Sequence, residues 1–178
     1  LFSDDSKLTY DTTISIGYLK DSLDLFLLSK FNYEPFENKL INDSTLVLKQ
    51  ESYQIEICSK KVDTSIYELS FIQNGQILDK INGLKIWGID GNIPNRVISS
   101  IKLTNEINTN SLDSNNFINL FEPSIYCQKS RCMTNAYLTD ENNLIISMFN
   151  SDGAGGYTAI FIFDNSLKII DRIVGYGF

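Results

Sequence analysis

The side chains that could do chemistry in this 178-residue chain are few. Cys127 and Cys132 bracket a short polar segment, Gln128-Lys129-Ser130-Arg131. That spacing is neither the C-x-x-C of a dithiol redox centre nor the paired C-x-x-C of a zinc site, and with His 0 in the sequence no imidazole can complete one. A local disulfide is the expectation, with a loop-entropy stabilisation of about 2 kcal/mol. It would point to an oxidising compartment such as a bacterial periplasm. Two unlinked thiols in a loop are the alternative. The third cysteine, Cys58, follows Ile55-Glu56-Ile57 in a strand-like run and reads as a small core residue or a free thiol.

The lack of histidine also removes Ser-His-Asp and Cys-His nucleophile activation and the commonest near-neutral general base. A carboxylate pair could still support glycoside hydrolysis, but the acids are spread through turns and exposed strand faces, and the sequence singles out no pair. The chain is therefore read as a non-enzyme, with no catalytic residue assigned. Ser151-Asp152-Gly153-Ala154-Gly155-Gly156 resembles a phosphate-cradling loop only superficially. No Lys-Ser/Thr follows, and the next element reads as a strand rather than a helix whose N-terminus would hold an anion. Asp152 with Asn150, or Asp90 with Asn92, could lend oxygens to calcium, yet neither spacing reproduces an EF-hand loop. No cofactor or metal is expected, and a wide glycine-permitted hairpin is the simpler account of 151–156.

The elements that would carry these residues are strands. The chain is expected to form one domain over 1–178, mainly β, as antiparallel sheets built from repeated hairpins with one or two short helices. The repeat is visible as Tyr67-x-x-x-Phe71-Ile72 followed by Ile77 to Gly83, matched by Tyr157-x-x-x-Phe161-Ile162 followed by Ile169 to Gly175. Thr12–Leu19, Leu46–Leu48, Tyr53–Cys58, Tyr67–Ile72, Gln76–Ile81, Leu84–Gly88, Leu144–Phe149, Tyr157–Phe163 and Leu167–Val174 read as strands, with Trp87 facing opposite to Ile86. Asn74-Gly75 is the strongest hairpin signal, since both positions favour positive φ. Val97–Leu103 suits a strand or a short helix. Asp21–Phe31 suits a helix with Leu23, Phe26, Leu27 and Phe31 along one side, and equally a strand over Leu23–Leu27. Asn105–Asn116 reads as a surface connection, ahead of a short helix opening near Asp113 or Ser114 that buries Phe117, Leu120 and Phe121 and stops at Pro123. Tyr157–Phe163, apolar on both faces, is expected to be a central strand covered on both sides.

Composition narrows the partners. Lys+Arg 15 against Asp+Glu 22 gives a net charge of -7, which repels nucleic acid phosphate and anionic lipid and favours a basic protein. No apolar run of about 20 residues is present, so no membrane insertion is expected. The start at Leu1 without Met is read as a processed or trimmed form.

Three segments carry a family resemblance. They are Trp87-Gly88-Ile89-Asp90-Gly91-Asn92-Ile93-Pro94 with Ile98 and Ile101, then Leu120-Phe121-Glu122-Pro123, then Asn150–Tyr157 with the terminal Gly177-Phe178. In this order they resemble a family of small bacterial extracytoplasmic β-rich proteins, some of them similar to immunity proteins that neutralise toxins of contact-dependent or type VI secretion. The resemblance implies a periplasmic or otherwise extracytoplasmic immunity protein that occludes the active site of a basic secreted toxin. A structural or surface-interaction module of the envelope is the alternative. Trp87, Asp90, Asn150, Ser151, Asp152 and Tyr157 are the expected contact residues, the aromatics as anchors and the acids as steering charges, although Trp87 and Tyr157 taken singly read more readily as core or sheet-face residues.

Overall fold

A computed structural model describes residues 34–128, 131–139, 142–151 and 153–176. The expected strand Thr12–Leu19 and helix Asp21–Phe31 lie outside these residues, as do Asp152, Gly177 and Phe178. The described elements are β1 (Glu37–Asn42), β2 (Thr45–Gln50), β3 (Tyr53–Lys61), β4 (Leu69–Ile72), β5 (Ile77–Ile81), β6 (Leu84–Lys85), β7 (Arg96–Thr104), β8 (Thr109–Ser111), β9 (Cys127–Gln128), β10 (Arg131–Cys132), β11 (Thr134–Leu138), β12 (Leu144–Asn150), β13 (Tyr157–Phe163) and β14 (Ile169–Tyr176), with single 3-10 turns between some of them. The protein is mainly β, as its alternating apolar runs require. All strand pairs are antiparallel, in sheets ordered β1-β2-β3-β7-β8, β11-β12-β13-β14 and β4-β5-β6, with β9 and β10 forming a two-stranded ribbon.

The two larger sheets share one core. Leu46 and Leu48 of β2, Ile55 and Ile57 of β3 and Ile101 and Leu103 of β7 meet Ile146 and Met148 of β12 and Phe161 and Phe163 of β13 in a single buried cluster. Period-two alternation puts these side chains on one face of each strand, and burying each contributes about 1.5–3 kcal/mol. The three-stranded sheet has a smaller core of Leu78, Ile81, Ile86, Val97 and Phe121. Trp87 belongs to the large cluster and Ile86 to the small one, so this adjacent pair faces opposite ways and joins the two cores.

Local chemistry explains where the expectations shift. Val97–Leu103 forms a strand, and its helix-like spacing of Ile98 and Ile101 comes from a bulge. Ser100 pairs with Cys58 and Ile98 with Ser59, so Ser99 is an extra residue that returns both isoleucines to the inner face. Cys58 sits on the other face of β3, half-buried, with its Sγ 3.8 Å from Thr45 Oγ1, and is not a core residue. The Asn105–Asn116 connection contains β8, because Asn105 Oδ1 accepts hydrogen bonds from the amides of Ile107 (3.0 Å) and Asn108 (2.7 Å) and folds the polar stretch into a tight return. The helix expected after Asp113 is one 3-10 turn, Ser114–Asn116; Asp113 caps it by accepting from Asn115 N (2.9 Å), and Phe117, Leu120 and Phe121 are buried. The repeated hairpins are both present, β4–β5 and β13–β14, but in different registers. Ile72 pairs with Ile77, whereas Ile162 pairs with Asp171. The first closes through Gln73, Asn74 and Gly75, all at positive φ.

The β13–β14 turn is organised by a carboxylate. Asp164 Oδ1 accepts from Ser166 Oγ (2.7 Å), Lys168 N (2.9 Å) and Ser166 N (2.9 Å), and these bonds, the Ser166 hydroxyl foremost, hold its carboxyl below its ordinary value. A pKa lowered on folding stabilises above the unfolded value of about 3.9, and that contribution disappears as pH falls through the folded value. Asp164→Asn keeps an acceptor oxygen but does not titrate. Its stability, followed by urea denaturation, is expected to fall less steeply than the parent's from about pH 5 down to about pH 2.

Candidate functional site

The three segments singled out in the sequence, 87–94, 120–123 and 150–157, meet at one junction. Trp87 N donates to Asn119 O and Phe121 N to Trp87 O, both at 3.0 Å, while Glu122 N donates to Arg96 O (3.0 Å) and Ser151 N to Glu122 O (3.1 Å). Asn150, 0% exposed, accepts on Oδ1 from Ser124 N at 2.9 Å. The Tyr157 hydroxyl, equally buried, donates to the Phe121 carbonyl oxygen at 2.8 Å. Burial, the largest influence, pushes this phenol well above the ordinary tyrosine value, so it stays protonated and remains a donor. The indole of Trp87 lies 6.3 Å from the Tyr157 ring and 4.8 Å from the Tyr176 ring.

Gly88 is what lets these pieces come together. Its φ is +95°, and a Cβ there would collide with the Phe121 carbonyl and stand 2.8 Å from Tyr157 Cε1. Glu122 (φ 47°) and Ser151 (φ 60°) are also in the left-handed region, where a side-chain-bearing residue is strained. Both are tied down by the hydrogen bonds just described.

The junction forms the back of an open groove of about 590 Å³, lined by residues that include Asp43, Asp90, Ile93, Arg96, Glu122 and Tyr126. Three apolar side chains on it stay in water: Leu40 is 44% exposed, Ile93 46% and Tyr126 41%. Asp43, Asp90 and Glu122 line the same groove. Glu122 Oε1 accepts a hydrogen bond from the Asn95 amide, which fixes the carboxylate at the wall. Arg96 Nη2 donates to Ser59 Oγ (2.8 Å) and Ser44 Oγ (3.0 Å), so serine hydroxyls hold its guanidinium.

The structure thus divides the expected contact residues. Asp90 and Ser151 line the groove. Trp87 at 1%, Tyr157 at 0% and Asn150 at 0% exposure are buried beneath it and shape the groove from behind; as direct contact residues they are corrected, and the two aromatics take the core placement that was their other reading. Asp152 lies outside the described residues. Leu40, Asp43, Ile93, Glu122 and Tyr126 were missed as site residues. An exposed apolar side chain in a loop has no sequence signature of its own, and only the turn-rich run around Pro94 and Pro123 marked the region.

Cys127 and Cys132 are direct partners across the β9–β10 ribbon, next in the chain to groove residue Tyr126. Among the described residues no group of three or more His, Cys, Asp or Glu could hold a metal ion, and no helix is long and apolar enough to cross a membrane. Compared with protein-family models, curated proteins and solved structures, the chain matches none.

Gly88→Ala tests the junction. The left-handed φ alone costs about 1–2 kcal/mol for a residue with a Cβ, and the collision with Phe121 adds to it. Urea denaturation is expected to show a loss of about 2 kcal/mol or more. Tyr157→Phe leaves the Phe121 carbonyl without its partner and is expected to cost about 1–3 kcal/mol.

Proposed function

We propose that this chain is a non-enzymatic binding protein whose working face is the groove, and that its partner is a basic protein. The supporting observation is the combination in one groove of exposed Leu40, Ile93 and Tyr126 with the acidic residues Asp43, Asp90 and Glu122. Apolar side chains that exclude water around a charged contact are the usual make-up of a protein–protein hot spot. The net charge of -7 would steer a cationic partner towards the molecule. Neutralising a secreted antibacterial toxin by covering its active site is the form of this activity that the family resemblance implies, with the bacterial envelope as its location. A Cys127–Cys132 disulfide would suit that location. The two residues are neighbours on opposite strands, and facing Cα atoms in a ribbon are about 4.5–5.5 Å apart, within the range a disulfide spans.

The test is a titration of the purified chain against the protein products of its neighbouring genes, basic ones first. Tight binding is expected, weakening as salt is raised, and Ile93→Asp is expected to weaken it at least tenfold (roughly 1.4 kcal/mol). Binding no better than to an unrelated basic protein, together with no protection on co-expression, overturns the reading. A thiol titration of the denatured, unreduced chain should find one reactive thiol, Cys58; three would discard the disulfide.

A carboxylate-dependent hydrolase is the second reading, because the groove gathers three acids. It requires turnover of an oligosaccharide that Glu122→Gln or Asp90→Asn abolishes.

A further inference from the structure

Strand β7 runs from Arg96 at the groove to Thr104 at the other end of the molecule, where four turns meet, two from each of the larger sheets. The β2–β3 turn brings Tyr53, the β7–β8 turn Glu106, Ile107 and Asn108, the β11–β12 turn Asn142 and the β13–β14 turn Asn165. Together they line an open hollow of about 420 Å³.

Other side chains hold these turns in shape. Asn105 Oδ1 accepts from the amides of Ile107 and Asn108, and its Nδ2 donates to Asn165 O. Asp164 accepts from the amides of Ser166 and Lys168, and Thr139 Oγ1 from Asn143 N at 3.0 Å. The walls are thus fixed before any ligand arrives, which lowers the ordering cost of binding. The side-chain amides of Asn108, Asn142 and Asn165, the Glu106 carboxylate and the Tyr53 hydroxyl stay unengaged among the described residues. Tyr53 is half-buried, its ring packed on the shared core with the Phe36 ring 6.3 Å away, and Ile107 is 87% exposed.

This set of groups selects a ligand chemistry. A side-chain amide presents a donor and an acceptor next to each other, and a sugar hydroxyl is itself both; a carboxylate adds acceptors for neighbouring hydroxyls. An aromatic ring and an aliphatic side chain offer apolar surface to the C–H face of a sugar ring. Among the described residues no Lys or Arg lines the hollow, so an anionic ligand would find no counter-charge. Its volume falls in the range of about 300–1,000 Å³ usual for small-molecule sites.

We propose that this hollow binds a neutral oligosaccharide, with Asn108, Asn142 and Asn165 bonding its hydroxyls and Tyr53 and Ile107 facing a sugar ring. The site is independent of the groove.

The test is a titration of the isotope-labelled full chain, followed by NMR, with trisaccharides of glucose, N-acetylglucosamine, galactose and mannose. At least one is expected to give saturable shifts in the side-chain amide signals of Asn108 and Asn165, with an affinity that added salt leaves unchanged. A charged partner in the groove would be salt-sensitive, so the two readings stand or fall separately. No saturable shift from any of the four sugars, or shifts confined to other regions, would overturn the proposal. In a second measurement, Asn108→Ala with Asn165→Ala is expected to weaken binding about tenfold or more. Neither side chain holds a turn, so emission from Trp87, the single tryptophan, should stay as in the parent. Undiminished affinity with that emission unchanged would overturn the proposal. If the emission shifts, the map of shifts in the parent decides.

Discussion

The hydrogen bond from the Tyr157 hydroxyl to the Phe121 carbonyl is the contact on which the other features depend. Both residues are fully buried, so losing one partner would strand the other without water to replace it. The bond fixes the start of β13 against the 120–123 segment. That segment in turn pairs with Trp87, and through Glu122 with Arg96 and Ser151. The back of the groove, from Gly88 through Arg96 and Glu122 to Ser151, is thus referred back to one phenol, which burial keeps protonated. Tyr67 approaches Phe121 as well, edge-on with ring centres 6.4 Å apart, so both tyrosines that open the repeated hairpins converge on this residue.

Alternation made the sheets legible in the sequence. β13 coincides with the run Tyr157–Phe163, and β12 and β14 fall within a residue or two of theirs, because the core-facing positions of each are mostly apolar and a slip of one residue would turn them outward. Where polar side chains decide, the reading blurred. β8 depends on Asn105 folding back onto its own backbone, and β1 is an almost wholly exposed edge strand with no apolar periodicity to announce it. The Val97–Leu103 ambiguity had a physical source, since a bulge changes a two-residue period into a three-residue step.

The site was legible as a place more than as a set of side chains. The segments 87–94, 120–123 and 150–157 do come together, and Trp87 and Tyr157, open to reading either as anchors or as core residues, lie beneath the groove. Large aromatic rings carry the greatest gain from burial, so Trp87 and Tyr157 were drawn inward and smaller or more flexible groups were left at the rim. Among the described residues the buried indole nitrogen of Trp87 meets no hydrogen-bond partner, while its ring packs against Tyr157 and Tyr176.

At the other end of β7 from Arg96, two asparagines stitch the larger sheets together. Asn105 Nδ2 donates to Asn165 O at 3.1 Å and Asn110 Nδ2 to Leu167 O at 2.6 Å. β7 has nine residues, so this seam lies about 30 Å from the groove. The two sheets are therefore pinned at both ends of β7, by these amide side chains at one end and by the Arg96–Glu122–Ser151 backbone bonds at the other, so a partner in the groove meets a mouth whose two sides are already joined.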